Sequence, residues 1–131
     1  MLYSVSLVVD PNTSLVAPVG QSLKVTEGFV RRVWVRWRWG SGNLCGARIL
    51  RASQQIWPNT PRQWFPSGSI VYEFPEDYEV ADFPYSFDIE AYNLDTTFSH
   101  ELWVAFLVLR PEFSADIVEF LTWLVSRGKR G

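Results

Sequence analysis

The sequence predicts an all-β fold, an antiparallel β-sandwich of immunoglobulin-like or jelly-roll type with one C-terminal α-helix. Three observations carry that prediction. Apolar and polar residues alternate with a period of two along much of residues 1–110, Pro, Gly and Asn punctuate the alternation, and helical spacing is absent until after Pro111. The 131 residues fit one domain that buries about two thirds of its unfolded surface, so residues 1–131 read as a single sandwich with its strands inside 1–110.

Along the chain, Leu2–Val9 is the first strand, stopped by Asp10-Pro11-Asn12. Ser22–Glu27 and Val30–Trp39 follow. In RVWVRWRW, Val33, Val35, Trp37 and Trp39 share one face and predict core, while Arg32, Trp34, Arg36 and Arg38 share the other. Gly40-Ser41-Gly42-Asn43 turns the chain into Leu44–Arg51. Residues 57–68, WPNTPRQWFPSG, hold three prolines and three aromatics, too many prolines for a central strand and too many aromatics for a solvated loop. Ser69–Phe74 is the next strand. In PYSFDIEAYN, Tyr85, Phe87, Ile89 and Ala91 oppose Ser86, Asp88 and Glu90, the pattern of a half-buried antiparallel strand. The last strand, His100–Leu109, is apolar on both faces and is expected to be central to the packing.

The tail changes period. Ser114 is a candidate N-cap, Asp116 and Glu119 suit the positive end of a helix dipole, and Arg127 precedes Gly128, which predicts a helix over about 113–127. Its apolar residues, among them Phe120, Trp123 and Leu124, cover more than one stripe, so part of the helix wants a partner beyond its own sandwich.

Aromatics make up 16% of the chain with seven tryptophans, more than a core of this size requires, and large aromatics dominate interfaces as well as cores. The net charge of −2 argues against a general polyanion binder. Its distribution is lopsided: residues 1–65 carry eight Lys/Arg and two acids, net +6, and residues 66–131 carry four and twelve, net −8. Either the halves pair as neighbouring strands or a basic patch of one copy meets an acidic patch of the next. The single cysteine, Cys45, excludes an intrachain disulfide and a cysteine-based metal cluster. The N-terminus shows no signal-peptide pattern and no segment has the apolar length of a membrane span, which leads to the expectation of a protein kept in a reducing cytoplasm or released by a route other than a cleaved leader.

Candidate chemistry is sparse. Glu73, Glu76, Asp77, Glu79 and Asp82 form the one dense acidic cluster, without EF-hand spacing, and read as a solvated edge or loop. His100 is the only histidine, no GxSxG elbow or glycine-rich phosphate loop is present, and neither a cofactor nor a metal is expected. Arg32, Arg36 and Arg38 have only Trp34 beside them, too little aromatic surface for base stacking, so nucleic acid is not an expected ligand. Asp88 and Glu90, or the acidic stretch of another copy, are the expected partners of that arginine row. Trp57, Trp64 and Phe65, with Asn59 and Gln63, could stack on a sugar ring, close the sandwich, or anchor a protein partner.

The run Tyr85-x-Phe87-x-Ile89-x-Ala91-x-Asn93 followed by a turn and an apolar strand resembles the end of fibronectin type III and related immunoglobulin-like domains. The wider pattern, from SLKVTEGFVRRVWVRW through QIWPNTP and YEFPEDYEV to the last strand, resembles small accessory β-sandwich virion proteins of tailed phages. That resemblance implies a protein that coats or cements a capsid and assembles with copies of itself. The resulting expectation is a non-enzymatic, homo-oligomeric structural protein whose contacts come from Arg32, Trp34, Arg36, Arg38, Trp57, Trp64, Phe65, Glu76, Asp77, Glu79, Phe120, Trp123 and Leu124. A carbohydrate-binding module using the Trp57–Phe65 loop is the alternative.

Overall fold

A computed structural model describes residues 1–38, 41–68 and 71–110. The expected helix, with Phe120, Trp123 and Leu124, lies outside these residues, as does Trp39. The described chain forms nine strands: β1 (Leu2–Val9), β2 (Val19–Lys24), β3 (Gly28–Trp37), β4 (Cys45–Arg51), β5 (Gln54–Trp57), β6 (Phe65–Pro66), β7 (Tyr72–Val80), β8 (Ser86–Asn93) and β9 (His100–Leu109). They make two antiparallel sheets in a sandwich-like arrangement. The four-stranded sheet runs β1-β9-β3-β7; the five-stranded sheet runs β2-β8-β4-β5, with β6 paired to β4.

The period-two pattern places the core between the sheets. From the first sheet come Leu7, Val9, Val30, Val33, Val35, Trp37, Leu102, Val104, Phe106 and Val108; the second supplies Ala47, Ile49, Phe87, Ile89 and Ala91. Phe87 and Phe106 stack across the gap with centroids 4.7 Å apart. As expected, β9 is central, and Val33, Val35 and Trp37 are buried while Arg36 and Arg38 are exposed.

Three expectations change. The acidic stretch is a solvated edge and not a loop: the strand expected to end at Phe74 continues through it as β7 to Val80. Tyr72, Phe74, Tyr78 and Val80 alternate toward the core and Glu73, Pro75, Asp77 and Glu79 away from it, and such alternation is what a sheet edge with one solvated face selects. Pro75 fits because β7 is an edge strand, and it pairs with Arg32 where β3 has a bulge. The second change concerns Asp88 and Glu90, which lie on β8 in the other sheet and cannot flank the arginine row. Their place is taken by β7: Arg31 meets Asp77 at 2.8 Å and Arg32 meets Glu73 at 3.0 Å. Arg38 approaches Glu101 of β9 at 3.7 Å. These three arginines of the first half are thus paired with acids of the second within one chain.

The third change narrows the Trp/Pro loop to one of its expected uses: it is built inward and closes the sandwich. Trp57 ends β5, only 3% exposed, and its ring lies 5.4 Å from Tyr78, 5.4 Å from Phe87 and 5.7 Å from Phe106. Its indole N–H donates to Glu76 Oε2 at 2.7 Å, which explains the one carboxylate on the inward side of β7. Gln55 Nε2 donates to the carbonyls of Pro58, Thr60 and Gln63 and ties the loop back on β5. At the other end of β4, Arg51 donates to Pro84 O and Tyr78 Oη and bridges the two sheets.

If Trp57 is the plug of this core, Trp57→Ala lowers the unfolding free energy by about 3–5 kcal/mol in guanidinium denaturation. A loss below about 1 kcal/mol would be that of a surface side chain.

Candidate functional site

The residues with the most chemistry converge at the end of the sandwich where β8 leads into β9. Asn93 is fully buried; its Nδ2 donates to Val9 O and Phe98 O, and its Oδ1 accepts from Asp95 N and, at 3.3 Å, from the Cys45 thiol. His100 Nε2 lies 2.9 Å from Asp95 Oδ2, while Asp95 Oδ1 accepts the N–H groups of Thr97 and Phe98. Histidine, aspartate, asparagine and cysteine are the types found in thiol hydrolases. The arrangement here differs, because the thiol is committed to Asn93 and has no solvent access. Burial pushes it up to about 11, against a hydrogen bond from Ser67 and with the Asp95 charge adding to the rise, so no thiolate nucleophile forms at neutral pH. The cluster is a clasp: it fixes the β1–β2 connection through the Thr13–Asn93 bridge and closes the β8–β9 turn.

The Trp57–Phe65 loop offers no free sugar-stacking platform. Trp57 and Phe65 face the core at 3% and 9% exposure. Trp64 is half-buried, with the Arg48 guanidinium 4.3 Å from its ring centre and Tyr92 packed edge-on at 4.9 Å. Tyr92 in turn lies over Gly46, where a Cβ would come within 2.6 Å of its Oη. Glu76 belongs to this interior as the partner of Trp57. Asp77 faces outward, already paired with Arg31.

The remaining predicted residues gather on the outer face of the four-stranded sheet. Cross-strand register puts Ser4, Ala105, Trp34 and Glu73 in one row, Leu2, Leu107, Arg32 and Pro75 in the next, and Ser6, Trp103 and Arg36 in a third. Leu109, Phe29 and Glu79 continue the face toward the end of β9. Trp34, Trp103, Phe29, Leu107 and Leu109, each half-buried, and the exposed Leu2 surround a fully buried Ala105, an apolar patch on a face that sandwiches normally keep polar. The Arg36 guanidinium lies over the Trp103 ring at 5.7 Å. Among the described residues, Arg36 and Glu79 are the charges of this face that have no ion-pair partner, and they sit at opposite ends of it. Sequence reasoning named Trp34 and the arginines here but missed Phe29, Trp103, Leu107 and Leu109. The signal was present in the two-sided apolarity of HELWVAFLVL, whose second face is this patch.

Among the described residues no group of three or more metal-ligating side chains occurs. Nor does any described helix have the length and apolarity to cross a membrane.

The clasp makes two predictions. The backbone N–H of Thr97, then His100 and Phe98, hold the Asp95 carboxyl below its ordinary 3.8. A lowered carboxyl adds stability above its unfolded value and loses it as pH falls through the folded one. Asp95→Asn should therefore be less stable than the natural protein near about pH 7, with the gap closing below about pH 3 in thermal melts. Cys45 should react with a thiol reagent no faster than the chain unfolds, and rapid native-state modification would contradict its burial.

No family model, curated protein or solved structure matches the chain, so any reading of this face rests on its own geometry.

Proposed function

We propose that this protein is a non-enzymatic jelly-roll structural protein that works by associating with copies of itself through the outer face of its four-stranded sheet. Consecutive strands alternate between the sheets from β1 to β4 and again from β7 to β9, with β9 inserted between β1 and β3 and β8 between β2 and β4. That order is the one expected of a double Greek key rolled into a jelly roll, an architecture shared by viral capsid and lectin domains. Architecture alone does not decide between those uses.

The observation that carries the proposal is the outer patch of Phe29, Trp34, Trp103, Leu107 and Leu109 with its two unmatched charges. Four strands about 4.8 Å apart and about eight residues long give a flat footprint of about 500 Å². With side-chain relief this approaches the roughly 800 Å² that each partner contributes to a standard interface. A second copy is the occupant favoured by charge. In a two-fold, face-to-face pairing that reverses strand direction, Arg36 of each copy reaches Glu79 of the other, and the axis passes between the Trp34–Ala105 row and the Arg32–Leu107 row. The charges that could have driven some other assembly, Arg31, Arg32 and Arg38, are neutralised inside the chain.

The setting we propose is a virion surface, with a capsid protein as further partner, on the strength of the sequence resemblance to accessory phage proteins. Self-association is the part of the proposal open to direct measurement. Sedimentation of the full chain at micromolar concentration is expected to give a dimer or larger species. Arg36→Glu and Glu79→Arg each weaken it at least about tenfold, and the double reversal restores it. A monomer across the concentration range, or reversals without effect, would overturn the proposal.

A further inference from the structure

The opposite surface of the molecule, the outer face of the five-stranded sheet, carries a groove of about 420 Å³. Its floor is set by register across β2, β8 and β4. One row is Gly20, Glu90 and Arg48; the next is Ser22, Asp88 and Leu50. Gly20 supplies the depression, because its missing side chain leaves open the space beside Glu90. A Cβ there would meet only the Ile89 carbonyl oxygen at 3.8 Å. Ser53 lines the mouth from the β4–β5 turn. Both residues of that turn, Ala52 and Ser53, are left-handed with φ of 51° and 67°, at positions usually given to Asn and Gly.

Arg48 and Glu90 are held in place before any ligand arrives. Arg48 donates from Nε to Glu90 Oε1 at 2.8 Å, its Nη2 lies 2.6 Å from the same oxygen, and its guanidinium is backed by the Trp64 ring. Glu90 therefore keeps acceptor capacity at its second oxygen, and Arg48 keeps N–H donors beyond those spent on the pair. Asp88 has no hydrogen-bond or ion-pair partner among the described residues.

We infer that this groove binds a neutral polyhydroxylated ligand, a hexose unit of a glycan. Two carboxylates against one guanidinium leave the groove with a negative balance that repels phosphate, sulfate and uronate groups. One of the carboxylates is already neutralised, which leaves too few oxygen ligands for a divalent cation. What the groove offers is alternating acceptors and donors, Asp88, Glu90, Arg48 and the hydroxyls of Ser22 and Ser53, beside the apolar side chain of Leu50. Vicinal hydroxyls above an apolar ring face present the complement of that pattern. This surface meets the Trp57–Phe65 loop at Trp64, whose ring backs Arg48, while Trp57 and Phe65 face the core. It also lies on the sheet opposite the self-association face, so the two proposals fail separately.

The test is binding of the full chain to a panel of neutral gluco-, galacto-, manno- and N-acetylglucosamine oligosaccharides, with heparin as the anionic control, followed by calorimetry on the best binder. Gly20→Gln fills the depression without backbone strain, and Asp88→Asn removes a charged acceptor at constant size. Each is expected to weaken the neutral oligosaccharide at least about tenfold while melting temperature and sedimentation stay at their natural values. Absence of any neutral binder, binding confined to heparin, or binding that survives Gly20→Gln would each overturn the inference.

Discussion

The fold turns on the placement of one indole. Trp57 sits where the five-stranded sheet is thinnest, at the end of β5, and fills the gap between Phe87, Phe106 and Tyr78 that the two-residue β6 is too short to cover. Burying its ring requires a partner for its N–H, and Glu76 supplies one from the facing edge strand at 2.7 Å. This contact gives β7 a reason to continue past Pro75 rather than turn away. Once β7 runs its full length, its outer carboxylates fall beside the arginines of β3. The charge pairing of the first sheet is thus a consequence of how the core is closed.

That closure sorts the surface. Arg31 and Arg32 are spent on Asp77 and Glu73, which leaves the middle of the four-stranded sheet apolar and, among the described residues, one unmatched charge at each of its two ends. On the other side of the molecule, Arg48 and Glu90 form a comparable pair, but with Gly20 rather than a large side chain beside Glu90, and the result is a groove instead of a flat patch. Two faces of similar strand count therefore differ in kind: one is flat and apolar at its middle, the other is a polar groove.

Much of this was legible from residues alone. Period-two alternation identified β1, β3, β4, β8 and β9 and the two faces of RVWVRWRW, because a half-buried strand writes its burial directly into its sequence. What escaped were features fixed by partners distant in the chain. Nothing in WPNTPRQWFPSG says that Trp57 points inward, since that depends on Glu76 nineteen residues later. The pairing of Arg32 with Glu73 rather than Asp88 depends on sheet order, which periodicity does not encode. The groove was invisible for the same reason, as its floor joins residues from three strands that only the register brings together. Cys45 and His100 were read as a buried hydrophobe and a strand-start residue, and both belong to one clasp around Asn93 that no local motif announces.

The central claim is that the apolar face through Trp34 and Ala105 is covered by the same face of a second copy. A single new thiol tests it, because Cys45 is buried and silent. Ser4 lies on a row beside the two-fold axis, exposed and outward, whereas Ser22 lies on the opposite sheet. Under a short bis-maleimide cross-linker, Ser4→Cys should yield a covalent dimer and Ser22→Cys should remain monomeric. Cross-linking through Ser22→Cys alone would contradict the account.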